Sequence, residues 1–309
     1  METNHCADAE TNRPDISGKD RITVKAPAKL NLFLDITGRR DNGYHLMDMV
    51  MQTVDLYDVV TLSLKKTGDS TLYCNGADIP VDKSNTALRA VKAFFEHTGM
   101  RNPGIHIRIE KNIPSQAGLG GASSDAAAVF VGLNELFDAR LSRDELCAVG
   151  ASVGADVPFC IFGGTAHAGG IGELLTALPP LPNDCHFVII KPDYGVSTVE
   201  AFAEFDSLPV KPAVSDISEV LRAISARSHT SLGRLLCNVF EPVVFPERTN
   251  AIKRALAAHG ALGSVMSGSG SSVFGLFDDI AAAKRATLEL ADLGEIFLVR
   301  PVATGARSD

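Results

Sequence analysis

The sequence predicts a two-domain α/β protein. Its 309 residues exceed the usual size of one domain. Short runs with strand-like alternation are interleaved with longer runs of helical apolar spacing. A Pro-rich stretch, Leu178 to Asn183, interrupts the pattern and marks a domain boundary. The element order fits an α/β sandwich on a mostly antiparallel sheet.

The first 20 residues are polar and mixed in charge, with Asp8, Glu10, Asp15 and Asp20. They lack the apolar core of a signal peptide and the acid-poor character of a transit peptide. A disordered tail is expected there. Residues 21–36 read as two short strands around Pro27. In the second, Lys29, Asn31 and Phe33 alternate with Leu30, Leu32 and Leu34. A turn follows over Thr37 to Gly43, then strand over 49–64. Asn85 to His97 carries a helical stripe of Ala87, Leu88, Val91, Phe94 and Phe95. Ile105 to Glu110 alternates as a strand.

A Gly- and Ser-rich segment, Pro114 to Asp125, precedes the next helix. That helix is expected to start at Ser123 or Ser124 and to run to about Phe137. Ser142 to Ser152 reads as another helix, followed by Gly154-Ala155-Asp156-Val157-Pro158 and an apolar strand. Beyond the boundary the expectation is strand 186–190, several helices between 197 and 259, strands 263–266 and 272–277, helix 279–292 and strand 295–301. No internal repeat or low-complexity segment is visible.

Composition narrows the function. Lys and Arg number 29 against 37 Asp and Glu, a net charge of −8. An acidic chain without Trp suits neither nucleic acid nor an anionic membrane surface. No run of about 18 apolar residues predicts a membrane span. The six cysteines show no CxxC spacing, so they read as reduced structural residues of a cytoplasmic protein.

The segment with Pro114, Gly118, Leu119, Gly120, Gly121, Ala122, Ser123 and Ser124 carries the strongest chemical signal. Glycines let backbone amides turn toward an anion, and a helix N-terminus adds free N–H groups and a favourable dipole. Together these suit a di- or triphosphate. Ser123 and Ser124 can cap the helix, donate to phosphate or ligate Mg2+. Alone, the cluster also fits a plain loop with a Ser cap. It is neither a Walker P-loop, which needs a Lys, nor a GxGxxG fingerprint. Asp156 could accept a proton from an attacking hydroxyl; in isolation it reads as a turn or capping residue. Lys29 in a Leu-rich strand points to a pocket or to a snorkelling edge residue. Ser267-Gly268-Ser269-Gly270-Ser271-Ser272 reads as a second phosphate approach or as a flexible hairpin turn.

Together these strings resemble the GHMP kinases. Pro114 to Asp125 is similar to the family's central motif. Pro27-Ala28-Lys29-Leu30-Asn31-Leu32 and the 267–272 segment stand in the family's order. The resemblance spans about residues 22 to 302. Its strings Gly38-Arg39-Arg40-Asp41-Asn42-Gly43-Tyr44-His45, Met51-Gln52-Thr53-Val54-Asp55 and Gly154-Ala155-Asp156-Val157-Pro158 resemble members that act on a cytidylyl sugar alcohol. The resemblance implies a two-domain α/β (α+β) GHMP kinase fold. Residues 21–178 would form a ribosomal-protein-S5-like ATP-binding domain and residues 179–309 a ferredoxin-like domain.

It further implies ATP with Mg2+ as cofactors and a small-molecule alcohol as substrate. Lys29 and Asp156 would be catalytic, and Asn31 would hold substrate beside them. Tyr44 and His45 would bind the cytosine end, with Phe202 stacking on the base. Gly118 to Ser124 would hold the ATP phosphates. Ala122 stands where a Gly is common, and Asn42 where an Asp is common. Other alcohol kinases of the family, for homoserine or mevalonate, and a nucleotide-binding sensor remain open. A homodimer is compatible with the sequence, which does not fix an oligomeric state.

Overall fold

The protein is described by a computed structural model covering residues 20–66, 68–75 and 79–308. The expected tail lies outside the described residues, apart from Asp20.

Strands β1 (Arg21–Arg39) and β2 (His45–Leu64) form a long antiparallel hairpin. The sequence predicts two strands around Pro27, whereas the structure has one continuous strand. A register shift between Pro27 and Ala28 accommodates the missing N–H of Pro27. A second shift, between Asn31 and Phe33, resets the alternation of β1. Lys29, Asn31 and Leu34 therefore line a cleft, while Leu30, Leu32 and Phe33 share one core cluster. Phe33 was expected beside Lys29, and the bulge moves it to the other side.

β3 (Thr71–Cys74), which the sequence does not suggest, runs parallel to β4 (Ile105–Glu110). Between them lies α1 (Thr86–Thr98), capped by the Asn85 side chain accepting from the Ala87 N–H. Next come α2 (Gly121–Leu136) and α3 (Arg143–Gly150), the latter opened by a Ser142–Glu145 capping box. Residues Val157–Phe162 form a short helix, α4, where an apolar strand was expected. Five of its six residues are buried, so no periodicity marks it, and Pro158 suits a helical first turn. β5 (Thr165–Gly169) and β6 (Leu174–Ala177) close this half.

After the Pro-rich stretch come β7 (His186–Lys191), α5 (Thr198–Ser207), α6 (Ile217–Ser225), α7 (His229–Leu235), β8 (Cys237–Asn238) and α8 (Pro246–Ala258). β9 (Gly263–Met266), β10 (Val273–Phe277), α9 (Ile280–Glu289), β11 (Glu295–Val299) and β12 (Arg307–Ser308) complete the chain. The second sheet has the antiparallel order β11-β7-β10-β9. The first has the order β12-β1-β2-β4-β3, with β5 on β2 and β8 on β1.

α1 and α2 pack on the first sheet around Phe94, Phe130 and Ile107. Two further clusters join the sheets: Leu30 and Leu32 meet Phe187 and Phe274, and Met49 meets Val188 and Ile190. Burying one such side chain stabilises by about 1.5–3 kcal/mol, so the sheets are held as one apolar assembly. Cys160 and Cys185 are buried and free, and burial pushes both thiols up. No helix among the described residues is long and apolar enough to cross a membrane.

Candidate active site

The site lies in a cleft of about 610 Å³ between β1, the Pro114–Gly120 loop and the loop that joins β9 to β10. Lys29 is only 4% exposed. Its Nζ donates to Asn31 Oδ1 at 2.5 Å and lies 3.4 Å from Asp156 Oδ2. This is not the geometry of a snorkelling lysine. Its alkyl stem runs under Gly120, where a Cβ would come within 2.8 Å of it. The Lys29 N–H donates to Leu119 O at 3.0 Å, stitching strand to loop.

Asp156 occupies the N-cap position of α4, yet its side chain makes no capping bond. The carboxylate is instead partly exposed and lines the cleft beside Lys29. The capping reading is thereby removed.

The glycine loop is built by close contact. Gly118 has φ +73°, and a Cβ there would lie 1.9 Å from the Ser267 carbonyl oxygen. Only glycine permits that approach. Gly120, with φ +71°, is the N-cap of α2 and provides no side-chain cap. The first N–H groups of α2 therefore open on the cleft with the positive end of the helix dipole. The helix starts at Gly121, two residues before the expected serines. Ser123 lines the cleft. Ser124 does not: it is fully buried, and its hydroxyl donates to Pro27 O at 2.7 Å. Pro114, Leu119, Gly121 and Ala122 also line the cleft. Ala122 is helical, so its methyl group meets no backbone penalty.

Asn31 is fully buried; its Nδ2 points to Met49 Sδ at 3.4 Å and its N–H donates to Ser267 Oγ. Ser267 Oγ in turn donates to Gly118 O at 3.0 Å. The 267–272 segment thus braces the glycine loop. Asn238, on β8, donates through Nδ2 to both Met266 O and Gly268 O.

At the other end the cleft becomes apolar, with Leu34, Met47, Phe202 and Phe240. Tyr44 is 58% exposed at the β1–β2 hairpin tip and does not line this cleft. His45 stacks on Phe202, with centroids 4.6 Å apart and planes at 22°. One face of Phe202 is therefore covered by His45, which itself does not line the cleft. His45 Nε2 lies 2.8 Å from Asp206 Oδ1.

Sequence reasoning did not pick out Lys111, Asp58, Asn238 or Asp206. Lys111 lines the cleft beside Gly121 and pairs with both Asp58 and Asp125, 2.9 Å from the latter's Oδ2. Burial works against the Lys111 ammonium, but Asp125 and Asp58 outweigh it and raise its pKa. Burial pushes the Asp125 carboxyl up to about 7. An available signal for Lys111 was its place three residues before Pro114; Asn238 carries none. Asp206 sits in the last turn of a helix, where an anion opposes the dipole.

The family description GHMP kinases N terminal domain matches residues 85–164, and GHMP kinases C terminal matches residues 216–296. The chain belongs to the GHMP kinase family. The 4-diphosphocytidyl-2-C-methyl-D-erythritol kinase of Clostridium tetani is 45% identical over 258 residues, 83% of this chain and 91% of that protein. The enzyme of the same name from Lachnoclostridium phytofermentans is 42% identical over 272 residues, 87% of this chain and 92% of that protein. A crystal structure of 4-(cytidine 5'-diphospho)-2C-methyl-D-erythritol kinase matches with TM-score 0.74 at 32% identity, over 92% of this chain and 100% of that one. Homoserine kinase from Cytophaga hutchinsonii matches with TM-score 0.78 at 22% identity, which shows a shared fold alone. In this GHMP kinase the family's glycine-rich segment is the loop that Lys29 underlies and Ser267 braces.

Proposed function

We infer that this GHMP kinase transfers the γ-phosphoryl group of ATP to the 2-hydroxyl of 4-diphosphocytidyl-2-C-methyl-D-erythritol. The 2-phosphate and ADP are the products, in the non-mevalonate route to isopentenyl diphosphate. The single observation that carries the chemistry is the convergence of Lys29 and Asp156, 3.4 Å apart, beside the uncapped N-terminus of α2. The cytidylyl substrate is supported by relatives 40–45% identical over most of their length.

The triphosphate lies along the glycine loop, where the α2 amides and dipole offset its charge. The substrate hydroxyl oxygen attacks the γ-phosphorus, the bond to the β–γ bridging oxygen breaks, and ADP leaves. Asp156 accepts the hydroxyl proton, a role worth about 10²–10⁴ in rate. Lys29 aligns Asp156 and stabilises charge on the transferring group. The acceptor is tertiary and crowded, so its orientation by Asn31 and the apolar end of the cleft matters greatly.

The site fits magnesium. No cluster of three His, Cys, Asp or Glu that could hold a metal exists among the described residues. Magnesium needs few protein ligands when phosphates supply the others. The Ser123 hydroxyl, facing the cleft, would hold it; Ser124 is engaged with Pro27. When bound, the ion neutralises phosphate charge. In this reading Phe202, in the cleft lining, and His45, stacked on it, form the cytosine end, with Tyr44 approaching from the exposed hairpin tip.

An ADP-release assay tests it. The purified chain should turn over the cytidylyl substrate with MgATP, and not homoserine, mevalonate or free methylerythritol. Asp156→Asn should lower kcat by about 10² or more while nucleotide affinity stays within a few-fold. Preferred turnover of homoserine or mevalonate would reject the substrate; full activity of the variant would reject the base.

A further inference from the structure

Asp206 occupies an unfavourable place for an acid. It lies in the last turn of α5, where the helix dipole favours cations. Two side chains from the β1–β2 hairpin face it there. His45 Nε2 lies 2.8 Å from Oδ1, and Arg39 Nη1 lies 3.5 Å from Oδ2. The hydrogen bond from His45 is the main cause that holds the Asp206 carboxyl below its usual range. The His45 side chain is only 12% exposed, and its ring is clamped flat against Phe202. One acid of α5 therefore fixes the position and rotation of an imidazole on the β1–β2 hairpin, stacked on Phe202 at the edge of the cleft lining.

A carboxylate only accepts, so the imidazole nitrogen facing it carries the proton. In the neutral ring the proton then sits on Nε2, and Nδ1 keeps its lone pair. Nδ1 has no hydrogen-bond partner among the described residues. A lone pair held there is an acceptor open to a donor from a ligand. Because the rings of His45 and Phe202 are nearly parallel, a base that meets Nδ1 edge-on also lies parallel to Phe202.

We propose that Asp206 is a positioning residue that sets the tautomer of His45, and that the resulting Nδ1 acceptor selects a 4-aminopyrimidine over a 4-oxopyrimidine. The proposal rests on the reading that His45 belongs to the substrate's base end. Cytosine offers an exocyclic N–H to such an acceptor. Uracil presents a carbonyl oxygen at the same position, so two lone pairs would face each other. A polar site left unpaired in this way discriminates far more strongly than a change of shape alone. Arg39 adds charge behind Asp206 and keeps it an acceptor.

The substitution that separates this role from simple support is Asp206→Asn. The amide can donate to Nε2, so the ring proton moves to Nδ1, which then becomes a donor suited to a carbonyl. Steady-state kinetics with the cytidylyl substrate and its uridylyl counterpart give the readout. The wild type should favour the cytidylyl substrate by 100-fold or more in kcat/KM. Asp206→Asn should cut that preference at least tenfold, through a higher KM for the cytidylyl and a lower KM for the uridylyl substrate. Asp206→Ala should weaken both through KM, with kcat little changed. Long-range proton–nitrogen NMR of the wild type reports the tautomer directly and needs no variant; Nε2–H is expected.

A His45 proton on Nδ1 would overturn the proposal. So would an Asp206→Asn chain with the wild-type base preference, or a wild type that turns over both substrates equally. A wild type that phosphorylates neither overturns the function and this proposal together, which distinguishes the two failures.

Discussion

Two aspartates flank the glycine loop, and their surroundings assign them opposite tasks. Asp156 is partly open and touches Lys29, the setting that its proposed role as proton acceptor needs. Asp125, on the buried face of α2, is closed in. Its Oδ2 accepts from Lys111, and its Oδ1 is buried without a partner among the described residues. Asp58 is better provided, since its Oδ1 accepts from the N–H groups of Asn112 and Ile113. Burial therefore raises Asp125 from 3.8 to about 7, with Asp58 adding to the rise and Lys111 opposing it. The folded chain keeps a proton on Asp125 that the unfolded chain releases near pH 4. Its contribution to stability is full below that pH and is lost as pH rises toward 7. Asp125→Asn cannot titrate. Wild-type stability relative to that variant should fall from pH 4.5 to 7.5, by at most about 4 kcal/mol, and level off above. Paired thermal melts at each pH measure it, and a difference independent of pH would contradict the assignment.

At the level of elements, the site depends on three loops held against one another. Ser267 accepts from β1 and donates to the glycine loop, and Asn238 holds the carbonyls on both sides of Ser267. Asn238→Ala leaves Met266 O and Gly268 O buried without this donor, at a cost of about 1–3 kcal/mol each. The brace under Gly118 should loosen with it. A lower melting temperature and a nucleotide KM raised at least fivefold are expected, with the KM for the alcohol less affected. An unchanged nucleotide KM in a folded variant would show that the brace is dispensable. The sequence made some of this legible and not the rest. Lys29, Asp156 and the glycine segment sit in contiguous strings whose residue types suit phosphate chemistry. The strands and most helices follow their periodicity, as the buried stripe of α1 does. The bulge at Leu32 was invisible, because alternation carries no mark of an inserted residue. Helix α4 was hidden because burial on nearly all sides erases periodicity. Asn238 and Asp206 act across 28 and 161 residues of chain separation, which no local pattern reports.

The whole molecule closes on itself through its last residues. The second sheet begins after the Pro-rich stretch, yet the chain returns to the first sheet before it ends. Val302 receives hydrogen bonds at its carbonyl from Gln52 Nε2 and Thr53 Oγ1, both at 3.0 Å. The Ala306 N–H donates to Cys160 O at 2.8 Å, and Arg307–Ser308 pairs with Val24 and Lys25 of β1. Gly163 has φ +72° and lies so close to Gly305 that a Cβ would come within 1.8 Å of its backbone nitrogen. This strap runs under the turn after α4, the helix that presents Asp156 at its start. Removing it exposes the edge of β1 and strips partners from Gln52, Thr53 and Cys160, three sites that are otherwise buried. A chain ending at Pro301 should lose on the order of 3 kcal/mol or more, and its melting temperature should fall by roughly 10 °C. Turnover should fall further than stability at temperatures where the truncated chain is still folded, because Asp156 loses the support behind α4. The fragment 21–178 lacks β8 and β12 as well as the strap, so it should not give a cooperative melt alone. A truncated chain with wild-type melting and turnover would show that the tail only rests on the fold, and that α4 is fixed by its own packing on α2 and α3.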